Sequence, residues 1–151
     1  MKKALTSKNT FMKISIINGP NLNLIGSREP GIYGSETFEH FFQKLRKEYE
    51  TIDFDYFQSN VEGEIINEIQ NADKKMTGII LNAGAYTHTS IAIGDAIAAI
   101  RIPVVEVHIS NVEAREEFRK YSHISSKCAG TISGFGLKSY LLAVESFVKN
   151  I

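Results

Sequence analysis

The sequence predicts an α/β fold, a parallel five-stranded sheet with helices on both faces. Short β-branched or alternating runs take turns with segments of helical period along the whole chain, and the connections between them are short. Strands that alternate with helices pair in parallel, because each helix serves as the crossover. The second observation is size: 151 residues, 43% hydrophobic and 23% charged, suit one globular domain that buries about 70% of its unfolded surface. No internal repeat, low-complexity tract or linker divides the chain.

Each element has its own warrant. "KISIIN" (13–18) reads as a strand, and "TFEHFFQKLRKEYE" (37–50) as an amphipathic helix capped by Ser35 or Thr37. "IDFDYFQS" (52–59) alternates with period two, as a strand exposed on one face does. "EGEIINEIQNADKK" (62–75) gathers Ile65, Ile66 and Ile69 on one helical face. "TGIILNAG" (77–84) is a buried strand running into a glycine turn, followed by the small-residue helix "SIAIGDAIAAI" (90–100), where Gly94 and Ala98 allow close packing. Pro103 opens the apolar strand "PVVEVHIS", "EAREEFRKY" (113–121) is expected to form a short charged helix, and "GTISG" (130–134) and "GLKSYLLAVESFVKN" (136–150) close the pattern as strand and helix. The resulting architecture is a flavodoxin-like three-layer sandwich of strand order 2-1-3-4-5, in which ligands bind beyond the carboxyl ends of the strands at the switch in strand order. Chemistry is therefore expected at 18–34, 82–88, 108–119 and 133–136.

Composition narrows the function. Seventeen basic and seventeen acidic side chains cancel, so no global field draws the chain to nucleic acid or anionic lipid. The single Cys128 excludes an intramolecular disulfide and a Cys-pair zinc site and suits a reducing compartment. No apolar run approaches the ~18 residues of a membrane span. The opening "MKKALTSKNTFMK" lacks the apolar core of a secretion signal. Residues 1–12 are expected to be a flexible N-terminal extension, with Met12 an alternative start, and 13–151 the single folded domain.

The tip of strand one carries "INGPNLNLIGSREPGIYG" (17–34), which holds four of the eleven glycines and two of the three prolines. Its asparagines, Asn18, Asn21 and Asn23, are equally at home as turn residues. Arg28 and Tyr33 stand out, five apart in a loop longer than a compact connection needs. The tip of strand three gives "LNAGAYTHTS", where Asn82 and His88 flank a small-residue turn. Asp95 sits in the apolar helix that follows, where an uncompensated carboxylate would be costly and calls for a partner or an interface. In "VVEVHIS", Glu106 and His108 share one strand face, so the carboxylate can orient the imidazole and stabilise its charged form. Arg115 and Arg119 lie four apart on the expected helix. Glu–Arg pairing accounts for Arg115, and Arg119, with Glu116 three residues before it, stays open between ion pair and ligand.

Other signals fall away. "GFGLKS" (134–139) lacks phosphate-loop spacing, no dinucleotide fingerprint follows strand one, and the four histidines have no metal-ligand spacing. His40 and His123 read as surface residues and Cys128 as a small, partly buried one. What remains at the tips is a phenol, imidazoles, guanidiniums and amides. That set suits proton transfer on a polar anion, with arginine available for a carboxylate.

Four stretches, "INGPNLNLIGSREPGIYG", "LNAGAYTHTSIAIGDAI", "VVEVHISNVEAREEFRKYS" and "GFG", together resemble the type II 3-dehydroquinate dehydratases, and the likeness spans residues 13 to 150 in order and spacing. The resemblance implies a cytoplasmic lyase that dehydrates 3-dehydroquinate to 3-dehydroshikimate by anti elimination through an enolate, with no cofactor and no metal. By the same resemblance Tyr33 is the base, Arg28 stabilises its phenolate, Asn21 holds a water at the enolate oxygen, and His108 is the acid, oriented by Glu106. Asn82, His88, Asp95 and Arg119 match substrate-binding positions, and the backbone of Ile109 and Ser110 matches a carboxylate cradle. The loop carrying Arg28 and Tyr33 resembles a mobile lid. The implied assembly is a homododecamer, a tetramer of trimers, in which Asp95 reaches a neighbouring active site. The "SSKC" stretch (125–128) departs from the family pattern. Competing readings are a flavin- or nucleotide-binding module on the same fold, against which the missing hydroxyl-rich phosphate loop argues, and a non-catalytic assembly protein that kept only the scaffold.

Overall fold

The computed structural model describes residues 11–27, 31 and 34–149. Five strands, β1 (Met12–Asn18), β2 (Ile52–Gln58), β3 (Gly78–Asn82), β4 (Val104–His108) and β5 (Gly130–Ser133), form one sheet of order β2-β1-β3-β4-β5. All four pairings are parallel, with Ile16 opposite both Tyr56 and Ile80, and Glu106 opposite Leu81 and Thr131. The helices are α1 (Phe38–Glu48), α2 (Glu62–Ala72), α3 (Ile91–Ala99) and α4 (Lys138–Val148).

Side-chain alternation divides the core between the two faces of the sheet. Ile14, Ile16, Ile80, Val105 and Val107 meet Phe38, Phe42 and Leu45 of α1 and Tyr140 and Val144 of α4. Ile17, Ile79, Leu81 and Val104 meet Ile65 and Ile69 of α2 and Ile93 and Ile97 of α3. Fully burying one such side chain contributes roughly 1.5–3 kcal/mol of transfer free energy. Caps set the helix starts: Thr37 Oγ1 accepts from His40 N at 3.3 Å, and Ser90 Oγ from Ile93 N at 2.9 Å. Thr37 is thus the cap of α1, not Ser35.

Two expectations change. Residues 113–121 are not a helix but two short 3₁₀ turns, Val112–Ala114 and Glu117–Lys120. Arg115 and Glu116 between them are extended, at ψ of −163° and 148°, so the helical face that would have aligned Arg115 with Arg119 does not exist. Local contacts hold the turns instead: Asn111 Oδ1 accepts from Glu113 N at 3.1 Å, and Arg119 N donates to Glu116 O at 2.9 Å. Asp95, for which the sequence calls for a partner or an interface, is exposed on α3 and does not line the cavity at the strand tips. Ile93, Gly94, Ala96 and Ile97 turn inward, while Ile91 (64% exposed), Ala92, Asp95, Ala98 and Ala99 turn outward. Gly94 packs as expected, since a Cβ there would lie 2.7 Å from His123 O. Ala98 faces outward instead.

Candidate active site

β1, β3 and β4 end side by side, and their carboxyl tips surround a cavity of about 630 Å³ including its mouth. Asn21, Asn82, His88, His108, Ile109, Ser110 and Arg115 line it, with Leu22 and Ile25 supplying apolar wall. The β1 tip comes close to the β3 tip: Gly19 N donates to Asn82 O at 2.7 Å, and a Cβ on Gly19 would lie 2.5 Å from Ala83 O. Asn21, at φ 66°, holds a left-handed conformation that asparagine tolerates. Its backbone N–H donates to Asn60 Oδ1 at 3.0 Å.

Period two on β4 brings Glu106 and His108 to the α2/α3 face, and His108 Nε2 lies 2.6 Å from Glu106 Oε1. Both are buried, Glu106 completely. Burial pushes the Glu106 carboxyl up, but hydrogen bonds from His108 and Ser125, the nearby His108 charge and Thr131 outweigh it and hold the carboxyl below the usual range. The His88 ring lies nearly parallel to that of His108, centroids 6.3 Å apart. His88 Nδ1 donates to Tyr121 O at 2.7 Å, which leaves Nε2 as the acceptor of the neutral ring. Burial lowers the His88 pKa despite the Tyr121 carbonyl, and the charges of His108 and Arg119 act in the same direction.

The orientation of Asn82 follows from donor logic. Gly84 N–H, which can only donate, lies 3.2 Å from one amide atom, which is therefore Oδ1. Nδ2 then donates to Tyr140 Oη at 2.9 Å, and Tyr140 Oη, used as acceptor there, donates to Asn18 Oδ1 at 2.7 Å. Asn18 Nδ2 faces Tyr56 Oη at 3.5 Å. A hydroxyl from α4 thus aims an amide of β3 at the cavity.

Of the residues expected from sequence, the structure gathers Asn21, Asn82, His88, His108, Ile109 and Ser110 around one cavity, with Glu106 behind His108. Arg119 and Asp95 stand outside its lining. Arg119 Nε donates to Glu116 Oε2 at 2.7 Å, and its guanidinium lies 5.0 Å from the Phe118 ring centre. Arg28 and Tyr33 lie outside the described residues. Arg115, read from sequence as an ordinary helix pair, lines the cavity and donates to Ser110 Oγ at 3.4 Å. Tyr140, Ser122, Ser125 and Thr131 were also missed, and Asn18, noted among the asparagines of the strand-one tip, was left open as a turn residue. The available signal was Glu106 itself: a carboxylate in an apolar strand demands hydroxyl donors, and three are present.

What this fold and cavity define is an acid–base enzyme on a flavodoxin-like scaffold. Residues 12–148 match the family described as dehydroquinase class II, and the chain belongs to that family. It is 56% identical over 143 residues to a "3-dehydroquinate dehydratase" of Fusobacterium nucleatum, covering 91% of this chain and 97% of the relative. A Prochlorococcus marinus protein of the same name is 51% identical over 140 residues, covering 91% and 96%. The crystal structure of type II dehydroquinase from Butyrivibrio crossotus superposes with a TM-score of 0.86 at 48% identity, covering 89% of this chain and 95% of that one.

Proposed function

We propose that this chain dehydrates 3-dehydroquinate to 3-dehydroshikimate in one catalytic domain. Met12 belongs to that domain and not to the expected N-terminal extension, because it opens β1 and pairs with Ile52. Tyr33, as phenolate stabilised by Arg28, removes the proton alpha to the ketone. Charge then develops on the enolate oxygen, where a water held by Asn21 donates. Collapse of the enolate expels the β-hydroxyl, and His108 protonates it, so one water leaves and the double bond forms conjugated to the restored ketone. The proton on Tyr33 returns to solvent and His108 is reprotonated, which balances the cycle. Asn82, His88 and Arg119 bind the substrate, and the backbone of Ile109 and Ser110 receives its carboxylate.

The observation that carries this reading is the buried Glu106–His108 pair at the floor of a cavity walled by Asn82, His88 and Asn21. Relatives named for the same reaction across nearly their full length support it. No flavin or nucleotide is required for these steps. The assembly is a homododecamer, four trimers. The outward face of α3, where Ile91, Ala92, Ala98 and Ala99 surround Asp95, becomes a subunit contact, and Asp95 meets a neighbouring site. Among the described residues no helix is long and apolar enough to cross a membrane, and we place the enzyme in the cytoplasm. The test is His108→Ala: dehydration falls strongly while exchange of the substrate's alpha proton with solvent persists, because enolate formation comes first. Loss of exchange together with turnover, with substrate still bound, refutes the division of roles.

A further inference from the structure

Three hydroxyls surround the buried carboxylate of Glu106, and donor logic fixes the direction of one. Ser122 Oγ accepts from Ile124 N at 3.1 Å and from Ser125 N at 3.0 Å. Both of its lone pairs are thereby used, so its proton is free to point at Glu106 Oε1, 3.4 Å away. On the other oxygen, Oε2, Ser125 Oγ donates, and Thr131 Oγ1 donates at 3.2 Å. With His108 Nε2 on Oε1 at 2.6 Å, four donors meet the roughly four acceptor positions of a carboxylate.

We propose that Ser122, Ser125 and Thr131 are positioning residues that hold Glu106 as the carboxylate, keeping the proton shared with His108 on the ring and making Nδ1 the atom that delivers a proton to the leaving hydroxyl. This rests on the reading of His108 as the acid. Hydrogen bonds to a charged form favour that form. While Oε1 accepts, Nε2 must carry a hydrogen, and Nε2 is then tied to the protein. Moving that hydrogen onto Glu106 would leave a neutral ring, whose Nδ1–H is a far weaker acid than that of an imidazolium. The hydroxyls therefore set the strength of the acid without touching substrate. The other titratable groups nearby stay constant in such an experiment. They are His88 stacked on His108, Arg119 beside His88, Arg115 across the cavity, and the Cys128 thiol, which burial and then the Glu106 charge push up to about 12.

The experiment measures kcat and KM for 3-dehydroquinate against pH, with melting temperature, in Ser125→Ala, Thr131→Val and their combination. Losing these donors destabilises the carboxylate, so the shared proton shifts toward Glu106 and the pair yields its last proton less readily. We expect kcat to fall about tenfold, the effect of one hydrogen bond to a charged group, with KM little changed. The alkaline limb of the profile should move up by about one pH unit. Ser125→Thr and Thr131→Ser should restore both. Should Ser125→Ala fail to fold, Thr131→Val at the exposed sheet edge carries the same test. A folded variant with unchanged kcat and unchanged limb, or with a limb moved down, overturns the proposal. His108→Ala separates the two levels. If it is inactive while the hydroxyl variants behave as wild type, the hydroxyl role alone fails; if it is fully active, the acid assignment fails and this proposal with it.

Discussion

Replacing Tyr140 with phenylalanine removes one oxygen from the centre of the molecule and tests whether a core residue aims the site. The Tyr140 ring is fully buried, 5.1 Å from the Phe38 ring centre, so the packing of the phenyl group survives. What is lost is the acceptor for Asn82 Nδ2 and the donor to Asn18 Oδ1. Leaving buried polar groups unpaired costs about 2 kcal/mol, which lowers Tm by roughly 4–8 °C for a chain of this size. The functional part is separate. Without Tyr140, Asn82 keeps only the Gly84 N–H to fix its amide, and its remaining donor and acceptor are no longer aimed at the cavity. KM for 3-dehydroquinate should rise about tenfold, or 1.4 kcal/mol, with kcat falling less. Steady-state dehydration kinetics alongside a thermal melt read both effects. A Tm drop of the expected size with KM and kcat unchanged would refute the reasoning, because Tyr140 would then serve stability alone.

The remaining predictions address other parts of the site. Tyr33→Phe should fold normally and lose at least ~10²-fold in turnover, and wild-type turnover in a folded variant removes Tyr33 as the base. Asp95→Ala should impair activity although Asp95 is exposed and outside its own cavity. Sedimentation run with activity decides, and a fully active wild-type monomer sinks the idea. Glu106 is held below the usual carboxyl range, so the folded chain binds fewer protons there than the unfolded one. That stabilisation is complete above the unfolded value of about 4.3 and is lost as pH falls through the folded value. Urea midpoints compared at neutral and acid pH should therefore fall less in Glu106→Gln than in wild type, and an equal fall contradicts the linkage.

Alternation of strand and helix was enough to read a parallel sheet, because each crossover is a separate periodic segment, and the order followed from five strands suiting the flavodoxin-like pattern. It failed at 113–121, where Glu and Arg spaced three and four apart satisfy a 3₁₀ turn as readily as a helix. The extended backbone at Arg115 and Glu116 has no periodic signature. Glu106 and His108 were readable because period two alone puts them on one face. Asn82 and His88 followed from their place at a strand tip. Tyr140 was not readable: it occupies a core position of an amphipathic helix, and its polar partners lie 58 and 122 residues away. The hydroxyls on Glu106 come from sites 16, 19 and 25 residues distant, so only folding reveals that they converge. For Asp95 the sequence called for a partner or an interface without choosing between them, because α3 is apolar on both faces in sequence, and only its rotation in the fold places Asp95 among the outward residues.

The central claim is tested most directly by incubating the purified chain with 3-dehydroquinate and following ultraviolet absorbance of the conjugated enone. The account predicts steady accumulation of 3-dehydroshikimate by the wild-type chain without any added flavin, nucleotide or metal, and little or none by His108→Ala. A folded wild-type chain that leaves 3-dehydroquinate unchanged, or a His108→Ala variant that matches it, would contradict the account.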